Sequence, residues 1–353
     1  MGAVDGWMAA PGPADLRWIR VEDASAAAGC RNAALALAQR LAFPPARADE
    51  LAVAVTEAAA NLAKHARAGT LMLRADRAGP GIDLVTLDTG PGIADVPAAL
   101  RDGMSTAGTL GIGLGAIRRL ADFCHVYSPP GHGTVLAARF LARPEPGPAG
   151  PAGHRDWAGL TRPIDGESEC GDSYVARRDG AVVTGLLCDG LGHGPLAAAA
   201  SREAVAVLRA TPGDEPAALL RRAHQRMGHT RGGALAVVRV SPQGVSFAGL
   251  GNVAAWIVSG DGRQGMVSVP GIAGHQARTV RQFEYPAVPG SAVVLHSDGL
   301  SSRWHPRDLP GLDRLDPLVI AAALLREAGG HRDDAGVLVL AGPATRAGPA
   351  ASA

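Results

Sequence analysis

The sequence predicts an α+β protein made of two successive sandwiches, and three observations predict it. The chain has 353 residues, which favours two folding units at roughly 100–200 residues each. A Pro- and Gly-dense stretch, ARPEPGPAGPAGHRD at 142–156, suits neither helix nor sheet and separates the two halves. Helical and strand patterns mix before this stretch, and strand patterns become denser after it. The expected layout is a frayed start at 1–15, a two-layer α/β sandwich at 16–141 and a linker at 142–157. An α/β/β/α sandwich at 158–341 and a frayed tail at 342–353 complete it.

In chain order, Ser25 is placed to cap a helix running through CRNAALALAQRLAF, which Pro44–Pro45 interrupts. A second helix follows in ARADELAVAVTEAAANLAKHAR, with Leu51, Val55, Ala58 and Leu62 as an apolar stripe at helical spacing. TLMLRAD and GIDLVTLD read as strands, and the glycine-rich GTLGIGLG opens the helix AIRRLADF. CHVYS and TVLAARF read as closing strands. Beyond the linker, SYVARRDG and AVVTGLLCDG read as paired strands turning at Asp179–Gly180. Helices fit 195–210 and 215–228. Hairpins follow through ALAVVRVSPQGVSFAGLGNVAAWIVSGDG and SAVVLHSDG, then the helix PLVIAAALLREA and the strand AGVLVLAG.

Composition narrows the function. A net charge of +1 and 4% aromatic residues give no case for nucleic acid or for an anionic membrane surface. No apolar run reaches the roughly 18–20 residues that span a bilayer, and the start has no signal-peptide pattern. The expected location is the cytoplasm. Cys30, Cys124, Cys170 and Cys188 form no CxxC pair, so free thiols are expected rather than a zinc site.

Two constellations carry chemistry. In the first, Glu57 and Asn61 share one helix edge at i and i+4, with Lys64 and His65 continuing it. Asp88 ends an apolar strand and begins DTGPG, where Gly90 and Gly92 permit close backbone approach. Gly111, Gly113 and Gly115 precede a helix, an arrangement suited to phosphates. In the second, Asp172 (CGDSY), Asp189 (CDGLGHG), Asp298 (SDG) and Asp333–Asp334 (HRDDAG) end strands or open turns. Carboxylates without soft partners suit Mg²⁺ or Mn²⁺, and two such ions can activate a bridging water for attack at phosphorus. Asp179–Gly180 and Asp261–Gly262 read only as turns.

The order ExxxN…DxGxG…GxGxG…GT resembles the Bergerat-type ATPases, in particular the anti-sigma and stressosome switch serine kinases. That resemblance implies ATP bound with Mg²⁺ on Asn61 and the adenine amino group on Asp88. It places Lys64, Gly90, Gly92, Gly111, Gly113, Gly115 and Thr134 in the nucleotide site, and makes Glu57 the group that acts on the attacking serine. The order GDxY…DGxGHG…SDG…DD resembles the sporulation-type PP2C phosphatases, and GLGNVAAWI is similar to the stressosome feedback phosphatases. It implies metal ligation by Asp172, Asp189, the Gly190 carbonyl, Asp298 and Asp333, with Asp334 as the fallback; His193 reads as holding its turn, the alternative being an acid near the leaving group. The family's DDxT appears here as DDAG, with Gly336 in place of the threonine. Together these resemblances imply a regulator that phosphorylates and dephosphorylates serine or threonine on STAS-type partners. The alternative is a first domain that only sequesters a partner, such as a sigma factor, under ATP control.

Overall fold

A computed structural model describes residues 7–76, 80–101, 113–143 and 155–343. The chain divides into two compact units, one of Pro11–Arg155 and one of Met1–Ala10 with Asp156–Ala353. Strand β1 (Trp7–Ala9) therefore precedes the first unit in sequence but belongs to the second. This corrects the frayed start expected for 1–15. Trp7, Met8 and Ala9 pair antiparallel with Arg177, Ala176 and Val175, Ala10 N donates to Tyr174 O at 2.8 Å, and Met8 is buried. The physical reason is tertiary: a short apolar strip satisfies the amides of a sheet edge that would otherwise stay open.

The first unit contains β2 (Leu16–Val21), α1 (Ala26–Arg40), α2 (Pro45–His65), β3 (Gly69–Asp76), β4 (Gly81–Leu87), α3 (Val96–Ala99), α4 (Gly113–Leu120), β5 (Phe123–Tyr127) and β6 (Val135–Leu141). The strands form one antiparallel sheet in the order β2-β3-β4-β6-β5. Helices α1, α2 and α4 pack with it around Leu37, Leu51, Val55, Leu73, Ile82 and Phe140. Pro45 does not merely interrupt a helix; it occupies the first turn of α2, where a missing N–H costs nothing. The predicted stripe of Leu51, Val55, Ala58 and Leu62 is buried, and each Leu or Val contributes about 1.5–3 kcal/mol of apolar burial. Ser25 precedes α1 but its side chain caps nothing. Asp23 Oδ1 accepts from Ser25 N at 2.8 Å, which fixes the turn that leads into the helix.

Asp83 on β4 is buried between Arg74 and Arg139. Burial opposes its charge, but the Arg139, Arg74 and Arg155 guanidiniums outweigh that cost and hold the carboxyl below its usual range.

The second unit adds β7 (Trp157–Arg162), β8 (Asp172–Asp179), β9 (Val182–Gly190), α5 (Gly194–Ala210), α6 (Pro216–Arg226), β10 (Gly233–Ser241), β11 (Gly244–Leu250), β12 (Ala254–Ser259), β13 (Gly262–Gly265), β14 (Ser268–Val269), β15 (Phe283–Pro286), β16 (Ala292–His296), α7 (Pro317–Ala328) and β17 (Ala335–Ala341). One sheet runs β1-β8-β9-β10-β11-β14, with β15 also on β11, and the other runs β13-β12-β16-β17-β7. The sheets enclose a core of Trp157, Tyr174, Leu187, Val238, Phe247, Leu295 and Leu338. Helices α5 and α6 cover the first sheet and α7 the second. The result is the expected four-layer α/β/β/α sandwich.

The linker boundary also shifts. Trp157 opens β7, and Arg155 pairs with Asp76 of the first unit; residues 144–154 lie outside the described residues. At the far end Gly342 N donates to Ser291 O at 2.7 Å, so order extends past 341, and residues 344–353 lie outside the description. All four cysteines are unpaired. Among the described residues, no helix is long and apolar enough to cross a membrane.

Two candidate functional sites

The first site is built on the C-terminal half of α2. Glu57 and Asn61 are half-buried there, Lys64 and His65 are exposed, and the Asn61 amide nitrogen is buried with no hydrogen-bond partner among the described residues. A buried, unsatisfied amide costs about 1–3 kcal/mol, so this side chain is suited to a polar ligand. The end of β4 delivers Asp88, buried, with its Oδ1 accepting from Gly90 N at 2.7 Å. Gly92 has φ +79, which favours glycine. Gly133 is also required: a Cβ there would lie 2.0 Å from Asp88 O.

Thr134 and Asp88 are joined directly, Asp88 N donating to Thr134 O at 3.1 Å. A residue missed from the sequence ties these loops together. Buried Ser128 accepts from Ile93 N at 2.7 Å, lies 2.9 Å from Thr134 Oγ1, and donates to Gly133 O at 3.2 Å. Its only sequence signal is a small hydroxyl between an apolar strand and Pro129–Pro130. Gly113 and Gly115, expected in a loop, lie instead in the first turn of α4. Leu114 and Ile117 draw that turn onto the core, which outweighs the roughly 1 kcal/mol cost of a helical glycine. Gly111 lies outside the described residues.

The second site gathers the predicted carboxylates at one end of the two sheets. Asp172 and Asp189 are direct cross-strand partners on β8 and β9. Gly190 follows, pairing with Gly233 of β10. Asp298 follows β16, where its Oδ2 accepts from Asn252 Nδ2 at 2.6 Å. Asn252, in the loop before β12, was not singled out from the sequence. Gly299 lets the Asp298 loop lie against the Asp334 backbone, since a Cβ at 299 would sit 1.9 Å from Asp334 O.

Asp333 and Asp334 part ways. Asp334 is buried, and its two carboxylate oxygens accept from Ile164 N and Gly171 N, each at 2.8 Å. Asp333 is exposed, and its Oδ1 accepts from the neighbouring Asp334 N at 2.9 Å. His193 pairs with Glu167, Nδ1 to Oε1 at 2.9 Å, at the start of α5. Gly336 N donates to Ser297 Oγ at 2.8 Å.

The electrostatics describe a site loaded with negative charge. Burial first, then Asp189, push the Asp172 carboxyl well above the carboxylate range; a hydrogen bond from Ser297 opposes this, and Asp334 and Asp298 add to it. Burial, the Asp298 charge and a shared hydrogen bond with Asp298 push Asp189 up to about 7. Asp172 Oδ2 is buried without a hydrogen-bond partner among the described residues. Among the described residues, no three His, Cys, Asp or Glu side chains yet converge as a formed metal cage. The oxygen-only donors, the orphaned Asp172 oxygen and the raised carboxyls fit hard divalent cations.

Comparison with known proteins agrees with both geometries. Residues 20–140 match the histidine kinase-like ATPase domain family, and residues 179–341 match the stage II sporulation protein E (SpoIIE) family. The chain is 35% identical over 104 residues to Serine/threonine-protein kinase RsbT of Bacillus subtilis (strain 168), covering 29% of this chain and 78% of RsbT. The chain belongs to the histidine kinase-like ATPase family, and its second half is similar to the SpoIIE family. Its resemblance to Phosphoserine phosphatase RsbX of the same organism is 24% identity over 142 residues, 39% of this chain and 70% of RsbX. A solved structure of the bacterial stressosome aligns at 28% identity and TM-score 0.49, covering 52% of this chain and 97% of that one. A structure of RsbX with magnesium aligns at 20% identity and TM-score 0.46, covering 52% and 92%. Pro11–Arg155 thus contains the ATPase domain, and the second unit contains the phosphatase domain.

Proposed function

We propose that the chain is a two-way regulator of serine or threonine phosphorylation on STAS-type, stressosome-like partner proteins. The single observation that carries the proposal is that both sets of polar residues occur in one chain, each gathered in its own folded unit.

In the ATPase domain, Asp88 would accept the adenine amino group and Asn61 would hold the Mg²⁺ that accompanies the nucleotide. Lys64, Gly90, Gly92, Gly111, Gly113, Gly115 and Thr134 line the nucleotide, and Glu57 orients the partner's hydroxyl for attack. Phosphoryl transfer asks mainly for positioning and charge neutralisation, so a small set suffices.

In the phosphatase domain, Asp172, Asp189, the Gly190 carbonyl, Asp298 and Asp333 hold Mg²⁺ or Mn²⁺. Bound there, the metals supply an acidified water and charge neutralisation at phosphorus. Asp334 is reserved for the two backbone amides that anchor β17 beside β7 and β8. Asn252 orients Asp298, and His193 stays on Glu167, consistent with a role in holding the turn.

The test is phosphate release from a phosphoserine protein by the full chain. Activity with Mn²⁺ or Mg²⁺, its loss in EDTA, and its loss in Asp298→Ala are expected. Undiminished activity in EDTA would refute the metal-phosphatase reading.

A further inference from the structure

The proposed metal ligands Asp172, Asp189, Asp298 and Asp333 are all carboxylates, and a phosphoryl group is also met well by a cationic side chain. The loop into β10 supplies one at its rim. Ala234 pairs with Asp189 and Gly233 with Gly190, and Leu191 N donates to Gly232 O at 3.0 Å. The next residue outward is Arg231. Its Nη1 hangs over the DGLGHG loop, 3.0 Å from where a Cβ on Gly192 would stand.

The backbone that presents Arg231 is held on several sides. Gly232 has φ +76, and a Cβ there would lie 2.4 Å from Ala273 O and 2.8 Å from the His275 ring. Gly233 N donates to Ala273 O at 3.1 Å and Ala273 N to Gly233 O at 2.8 Å. His275 Nε2 lies 3.1 Å from Thr230 O. Arg231 itself is exposed and makes no ion pair among the described residues, unlike Arg202 on Glu169 and Arg226 on Glu203.

We propose that Arg231 binds the substrate's phosphoryl oxygens at the phosphatase site. A guanidinium donates two parallel N–H groups to a phosphate and stays charged at any working pH. Its place beside Gly192, two residues after the Asp189–Gly190 ligand pair, puts it at the rim of that loop and outside the metal set. The inference rests on the phosphatase reading above. Arg332, exposed and next to Asp333, is the rival cation and serves as the comparison.

The experiment uses the full chain with Mn²⁺ and p-nitrophenyl phosphate, with inorganic phosphate as inhibitor and as calorimetric ligand. Arg231→Ala is expected to raise KM at least tenfold and to weaken phosphate inhibition in parallel. Arg231→Lys should recover part of the loss, Mn²⁺ affinity should stay within twofold, and Arg332→Ala should change KM less than twofold. An unchanged KM and phosphate affinity in Arg231→Ala, or a loss that follows Arg332→Ala instead, overturns the proposal. If the wild type released no phosphate with Mn²⁺, the phosphatase reading would fail. Calorimetry would still decide this inference: a tenfold weaker phosphate affinity in Arg231→Ala upholds it. Equal affinities, or no binding by the wild type, overturn it.

Discussion

Replacing Asp189 by asparagine should stabilise the metal-free phosphatase unit while abolishing its response to metal. Asp189 faces Asp172 across β8 and β9 and shares a hydrogen bond with Asp298. Its carboxyl is raised from 3.8 to about 7, first by burial and then by Asp298. Between those two pH values the unfolded chain has released this proton and the folded unit has kept it, so stability falls as pH rises across the window. At 1.36 kcal/mol per pH unit, the full difference is about 4 kcal/mol above pH 7. Asp298 and Asp172 share the repulsion, so removing one charge should recover about 1–3 kcal/mol. For a unit of this size that raises Tm by about 3–10 °C.

The assay is thermal unfolding of the full chain in EDTA at pH 8 and pH 4, repeated at pH 8 with Mn²⁺. The variant should exceed wild type in EDTA at pH 8, match it near pH 4, and gain nothing from Mn²⁺, which should stabilise the wild type. An asparagine variant less stable than wild type in EDTA at pH 8 would refute the argument that these carboxylates repel one another.

Four further outcomes follow from the structure. Asp88→Ala should weaken ADP binding by tenfold or more in calorimetry, the equivalent of about 1–3 kcal/mol for a buried polar hydrogen bond, whereas Glu57→Ala should bind ADP normally. Deleting residues 1–10 should lower the Tm of the phosphatase transition and leave ADP affinity unchanged, because β1 and Met8 belong to that unit. A Cβ at Gly336 would lie 3.0 Å from Asp172 Cβ and 3.1 Å from its Oδ2, so Gly336→Ala should lower Mn²⁺-dependent turnover by crowding. Gly336→Thr should recover activity relative to alanine, since its hydroxyl can donate to the orphaned Asp172 oxygen. Asp334→Ala should destabilise the unit by about 1–3 kcal/mol through loss of its two amide partners, measured by urea unfolding in EDTA.

The legible part of this molecule was local. The α2 stripe, the turn at Asp179–Gly180 and the acid-glycine pairs each sit within a few residues of their own signal. Pairings formed by tertiary contact left no such trace. Trp7–Ala9 is too short to read as a strand beside Pro11–Gly12–Pro13, and its partners Val175–Arg177 lie beyond the whole first unit. Ser128, Asn252 and Arg231 are unremarkable in sequence because their importance comes from the loops that folding brings beside them. Asp333 and Asp334 are neighbours with the same side chain, and only the positions of Ile164 N and Gly171 N distinguish them. Gly113 and Gly115 misled in the opposite direction: a glycine pattern suggested a loop where core packing of Leu114 and Ile117 draws a helix.

The central claim is that one chain carries both directions of the same modification. Phosphoserine on a purified STAS-domain partner, followed over time with ATP and Mg²⁺, measures it most directly when wild type, Glu57→Ala and Asp298→Ala are compared side by side. The account predicts a low steady level with wild type, none with Glu57→Ala, and accumulation to near completion with Asp298→Ala. No phosphoserine with Asp298→Ala would contradict the kinase half and favour a first domain that only binds its partner. Equal levels with wild type and Asp298→Ala would contradict the phosphatase half.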